Sequence, residues 1–144
     1  MKIIISIMAL LLYCSSITAQ DIKNGNYVSN RTSFQDFHNS ENNFIEDAQY
    51  NLTIQIQDNK GIILIQDPRI PNKPLSYRIY SKGKEISNAN TNAIFYNAYT
   101  EHLGTPLKTY IGIGYKSKDE FLNLMVADSL SSQVFHNLKP KQKP

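Results

Sequence analysis

Residues 49–57 alternate without a break. Tyr50, Leu52, Ile54 and Ile56 are apolar, and Gln49, Asn51, Thr53, Gln55 and Gln57 between them are polar. A period of two puts the apolar side chains on one face of an extended chain and the polar ones on the other. A helix would scatter the same residues around its axis. This stretch predicts a half-buried β-strand, dry on one face and wet on the other. Asp58-Asn59-Lys60-Gly61 follows as a turn, with glycine where positive φ is easiest, and Ile62–Ile65 returns as the second arm of a hairpin.

The same pattern recurs along the chain. Leu75, Tyr77 and Ile79 alternate with Ser76 and Arg78, and residues 107–115 alternate again. The polar run 116–119 turns into Phe121–Val126, a second hairpin. Weaker strands are expected at Tyr27–Ser29, Ala93–Tyr99 and Val134–Leu138. Pro68, Pro71 and Pro74 make Asp67–Pro74 a connecting loop, because proline cannot continue a ladder. Residues 82–92 are polar and read as a second loop. Between 34 and 47, Phe34, Phe37, Phe44 and Ile45 fall roughly on one helical face, though asparagines interrupt them; a loop with a short helical turn is expected there. About eight short strands with hairpin turns imply an all-β fold, a single antiparallel β-sandwich or meander barrel. Ile62–Ile65 and Ala93–Tyr96 are apolar on both faces, so something must also cover the outside of those strands: the Phe34–Phe44 segment, another sheet or a partner.

The N-terminus is built differently. Met1-Lys2 precedes an apolar run, Ile3–Tyr13, and a small-residue exit, Ser15–Ala19. That layout is a secretory signal peptide, and the run is too short for the roughly 20 residues that span a bilayer. Cleavage after Ala19 leaves residues 20–138 as one β-domain and 139–144 as a frayed basic tail. It also removes Cys14, the only cysteine. The exported chain then has no thiol nucleophile, no disulfide and no cysteine metal site. It carries 14 basic and 12 acidic side chains. That near-neutral balance, with export, argues against nucleic-acid binding. Periplasmic or extracellular placement follows, with no transmembrane segment.

Catalytic patterns are thin. There is no Gly-x-Ser-x-Gly, no glycine-rich phosphate cradle, and His38, His102 and His136 share no metal-ligand spacing. Glu46-Asp47 and Asp119-Glu120 read as solvated turn residues rather than a glycosidase pair. No catalytic residue, metal or cofactor is expected. The aromatics say more. Tyr77 shares a face with Leu75 and Ile79 and belongs to the core, whereas Tyr80 and Tyr110 share faces with polar neighbours. Tyrosine combines an apolar ring with a polar tip, which suits ligand pockets and partner surfaces. Tyr80, Phe95, Tyr96, Tyr99 and Tyr110 are therefore the candidate binding residues, on strand faces that stack on a sugar ring or dock a partner chain. Gly112 and Gly114, two apart on one face, leave room for a neighbouring ring or an approaching ligand.

The Ala19-Gln20 exit, the asparagine- and lysine-rich composition, the hairpin over 51–66 and the strand Ile94–Ala98 leading into Tyr110–Val126 resemble a group of small secreted all-β proteins of Bacteroidetes. Asp128-Ser129-Leu130 is similar to the short O-glycosylation acceptor of those bacteria. The resemblance implies an exported β-domain and supplies no activity. Asn24-Gly25-Asn26-Tyr27 also resembles the glycine-x-aromatic start of lipocalin-like barrels, with tyrosine in the usual tryptophan position. The expected function is that of a secreted, non-catalytic β-domain binding an unknown ligand or an envelope or extracellular protein. The rivals are an enzyme inhibitor presenting Asp67–Pro74 and a small hydrolase.

Overall fold

The computed structural model describes residues 23–87, 92–117 and 120–143. The expected signal peptide over residues 1–19, with Cys14, lies outside them. Eleven strands form one antiparallel sheet: β1 (Gly25–Ser29), β2 (Arg31–Asp36), β3 (Phe44–Glu46), β4 (Tyr50–Gln57), β5 (Lys60–Gln66), β6 (Leu75–Ser87), β7 (Asn92–His102), β8 (Thr105–Ser117), β9 (Glu120–Ala127), β10 (Ser131–His136) and β11 (Lys139–Pro140). Their order is β11-β1-β4-β5-β6-β7-β8-β9-β10-β2-β3. From β4 to β10 each strand pairs with the next along the chain, which makes a meander.

The termini of that meander explain its curvature. Only Asn30 separates β1 from β2, yet β1 pairs with β4 and β2 pairs with β10, near opposite margins of the sheet. The sheet therefore curls into a half-barrel whose margins are drawn together along residues 25–36. At the crossing, the Ser29 hydroxyl, with one hydrogen to share, lies 2.7 Å from the His136 carbonyl and 2.9 Å from that of Arg31, and Thr32 donates to Val134 at 2.9 Å. Ser29 and Thr32 are fully buried. Both buried hydroxyls are thus hydrogen-bonded to backbone where the chain changes partner.

The alternating residues fill the concave side. Leu52, Ile54, Ile56, Ile63, Ile65, Ile79, Ile111, Ile113 and Leu124 are buried there in one cluster with Tyr27, Tyr50, Tyr77, Tyr96, Tyr115 and Phe135. The Tyr50 and Phe135 rings meet edge to face with centroids 5.2 Å apart, which joins β4 directly to β10 across the interior.

Several expectations change. There is one sheet, not the two packed layers of a sandwich, and eleven strands rather than eight. The three additional strands are β2, β3 and β11. Residues 34–47 hold two of them, separated by a single 3-10 turn at Ser40–Asn42. Phe34 and Phe44 are cross-strand partners with rings stacked at 5.3 Å, not neighbours on a helical face. This segment lies at the far margin from β5 and does not cover Ile62 and Leu64, which stay half-buried on the convex face. The basic tail begins as a strand, with Lys139 and Pro140 opposite Val28 and Tyr27 at the sheet edge, where proline is tolerated. In the first hairpin, positive φ falls on Asp58 (53°) and Asn59 (62°), a two-residue turn closed by Gln57 and Lys60. Gly61 is inside β5 instead. A methyl there would sit 1.9 Å from the Gln55 carbonyl oxygen, so the position excludes any side chain.

Candidate functional site

The convex face of β4–β8 carries the candidate site. Ladder register places Gln55, Ile62, Arg78, Tyr99 and Lys108 in one transverse row, each opposite the next. Neighbouring strands lie about 4.8 Å apart, so Arg78 and Lys108 flank Tyr99 at about 9.6 Å from one another.

Tyr80 joins this row through an irregularity. Ile79 pairs with Ala98 and Ser81 with Asn97, which leaves Tyr80 as the extra residue of a β-bulge. Bulges re-aim side chains. Here Tyr80 and Ser81 both reach the convex face: Asn97 donates its side-chain amide to Ser81 Oγ at 3.0 Å, and the Tyr80 ring lies beside Tyr99 with centroids 6.3 Å apart and a 32° tilt. Tyr80 is 45% exposed and Tyr110 40%, open enough to take a ligand against the ring. Lys108 Nζ stands 5.5 Å from the centre of the Tyr110 ring, a cation–π approach. Its pKa is held above the ordinary lysine value, chiefly by the hydrogen bond with Tyr110 and then by that ring's charge and Tyr80's.

Two clefts open on this surface and share Tyr80 and Tyr99. The larger, about 860 Å³, is lined by Gln55, Gln57, Lys60, Ile62 and Arg78 with the two rings. The smaller, about 530 Å³, adds Glu101, Pro106 and Lys108.

The five candidate residues are not all together. Tyr80, Tyr99 and Tyr110 lie on the convex face. Phe95 shares that face two residues below Asn97, and its ring covers Gly112: a methyl at 112 would meet Phe95 Cε1 at 2.9 Å. The space left by that glycine is therefore taken by a neighbouring ring, whereas a methyl at Gly114 would meet only the Asn123 and Asn92 carbonyl oxygens, at 4.0 Å. Tyr96 points the other way, 3% exposed in the core, and is no part of the strip. Arg78 and Lys108, absent from the candidate residues, share this face, turned outward by the same alternation as Tyr80 and Tyr110.

A second polar cluster pins the loop at 67–74. Arg69 contacts Asp67 at 2.7 Å and Glu46 at 3.5 Å, and donates to the Tyr50 hydroxyl at 2.9 Å. Tyr50 in turn donates to Glu46 at 2.6 Å. The Arg69 guanidinium holds Asp67 below the usual carboxylate range. Residues 67–70 and 70–73 close consecutive turns, leaving Ile70 exposed at the loop's surface.

His38 and His136 lie apart, at opposite ends of the β2 segment. His38 sits in an exposed turn, where its backbone N–H bonds Asp36. His136 Nε2 meets Ser33 Oγ at 2.8 Å. Among the described residues no carboxylate bonds that ring, and no group of acids, histidines and cysteines has metal-binding geometry. No helix among them is long and apolar enough to cross a membrane. Comparison of the chain with models of protein families, with curated proteins and with solved structures gives no match.

Proposed function

We propose that this chain is an exported, non-catalytic β-domain that binds a saccharide along the convex face of β4–β8. The observation that carries the reading is the outward pair Tyr80 and Tyr99, set by a bulge beside amide and basic side chains in an open cleft. A sugar ring presents an apolar C–H face and a rim of hydroxyls. Tyrosine rings match the first, and Gln55, Gln57 and Asn24 supply donors and acceptors for the second. A stable protein partner calls for a broad, apolar-centred patch of about 800 Å² per side. Here three isoleucines, Ile56, Ile62 and Ile79, and Gly61 line the larger cleft beside seven polar or phenolic residues, and Ile56 and Ile79 are themselves buried in the core.

Calorimetric titration with soluble neutral and acidic polysaccharides tests the proposal. Saturable binding to at least one class is expected. Tyr80→Ala and Tyr99→Ala should each weaken it about tenfold, the equivalent of about 1.4 kcal/mol. Absence of binding, or affinity untouched by both substitutions, rejects the reading.

A second reading has its own support in the loop at 67–74. Three prolines and the Arg69 contacts order it in advance, as an inhibitory loop requires. Retained inhibition of a target hydrolase after the loop is deleted would dismiss it.

A further inference from the structure

We infer that the saccharide is acidic, and that Arg78 is the residue that reads its carboxylate; this rests on the saccharide reading above. Arg69 is tied to Asp67 and Glu46, and Lys82 to Glu85 at 2.6 Å. Arg78 has no ion pair or hydrogen-bonding side chain among the described residues, and neither does Lys60. Both line the larger cleft, whose described lining contains no carboxylate. Arg78 stands in the row between Ile62 and Tyr99, so its guanidinium is bordered by an aliphatic chain and an aromatic ring. A planar fork of donors held among weakly polar neighbours suits a carboxylate in bidentate geometry.

The row adds an order to the charge. Arg78, Tyr99 and Lys108 follow one another across three strands, cation, ring, cation. A polysaccharide that carries acids on separate sugars, with a sugar face between them, presents its groups in the same order. Opposing charge gathers at the Lys108 end: Asp128 lines a neighbouring cleft with Lys108, and Glu101 lines the smaller cleft at its Pro106 end. Glu101 lies diagonal to Lys108 in the ladder without reaching ion-pair distance, so it reduces the positive field at that end and leaves the Arg78 end unopposed.

The test uses hyaluronan, alginate and polygalacturonate, each beside its carboxyl-reduced form, in which the acid is an alcohol and the backbone is unchanged. At least one acid form should bind about tenfold more tightly than its reduced partner at low salt. That margin should shrink in 0.5 M salt, where the screening length falls to a few Å. Arg78→Gln should erase the margin, Lys108→Gln should narrow it, and Glu101→Gln should widen it. Equal binding of acid and reduced forms overturns the inference and leaves the saccharide reading standing, as does a margin that survives Arg78→Gln. Failure of every polymer, neutral ones included, overturns both.

Discussion

The sheet register makes a sharp demand at Gly61. A methyl built there lies 1.9 Å from the Gln55 carbonyl oxygen, 2.8 Å from its carbon and 2.9 Å from Ile56 Cα. All three are backbone atoms of the partner strand, so no side chain can swing aside. Restoring ordinary contact at 3.4 Å means parting β4 and β5 by about 1.5 Å at the tip of their hairpin. Overpacking of this kind costs about 1–3 kcal/mol. Losing two adjacent ladder hydrogen bonds adds about 1 kcal/mol each. Gly61→Ala should therefore destabilise the domain by about 3–5 kcal/mol. With a urea slope of about 2 kcal/mol per molar, the unfolding midpoint should fall by about 1.5–2.5 M. Gly104→Ala is the control, because its φ is +78° but nothing lies within 4 Å of the added methyl. It should lose only the left-handed backbone penalty, about 1 kcal/mol or 0.5 M. Tyrosine fluorescence and far-ultraviolet dichroism follow both, since the chain has no tryptophan. If the two midpoints fall equally, the pairing of Gly61 with Ile56 is wrong, and with it the row that places Arg78 beside Tyr99.

Three further outcomes follow from the packing. Burial first, and then the hydrogen bond to Glu46, push the Tyr50 phenol from 10.0 up to about 12. The folded state holds that proton more tightly than the unfolded chain, so the contribution is intact below pH 10 and is lost as pH rises from 10 to 12, on the order of 2–3 kcal/mol. Tyr50→Phe should flatten the fall of the urea midpoint across that window, and a curve parallel to the parent's contradicts the assignment. Leu103 is 94% exposed with φ at +50°, next to Gly104 in a two-residue hairpin turn. Leu103→Asn should stabilise by about 0.5–1 kcal/mol by supplying a residue that tolerates this conformation, read as a higher melting temperature; a lower one counts against the turn. Phe135, 1% exposed against Tyr50, should cost about 3–5 kcal/mol on replacement by alanine. A cost below 1 kcal/mol in urea unfolding would deny the contact across the interior.

What the sequence disclosed follows the range of the forces involved. Strands β4, β8 and the first half of β6 were legible because each carries its own apolar alternation, which needs no knowledge of partners, whereas residues 82–87 of β6, polar throughout except Ile86, read as a loop. β2 and β3 were not legible either. Thr32 and Phe34 alternate with Ser33 and Gln35 too briefly to stand out, and Phe34 meets Phe44 only once the intervening turn has folded. The crossing at Asn30 was invisible for a stronger reason: nothing local distinguishes a strand that changes partners from one that keeps them. The site divides the same way. Alternation with Ile79 and Ile111 set Tyr80 and Tyr110 outward. The unbroken apolar run Ala93–Tyr96 offered no period, so Phe95 and Tyr96 could not be assigned to opposite faces before the register with β8 was known. The bulge that leaves Tyr80 unpaired has no glycine or proline to mark it.

The interior also decides where a ligand can go. Five tyrosines, Tyr27, Tyr50, Tyr77, Tyr96 and Tyr115, point into the half-barrel with Phe135 and are at most 9% exposed. Each ring occupies volume that a carrier barrel keeps for its cargo, and phenols inside need partners, such as the Lys23 carbonyl that accepts from Tyr27 at 2.8 Å. Filling the concave side with those rings leaves Tyr80, Tyr99 and Tyr110 on the convex side, near Arg78 and Lys108. The alternation that builds the core thus fixes the composition of the outer face as well. A substitution that moves one residue across that boundary should be felt as lost stability on one side and as lost binding on the other, with little overlap: Tyr77→Ala lowers the unfolding midpoint, whereas Tyr80→Ala, at an exposed bulge, leaves it nearly unchanged and weakens the ligand.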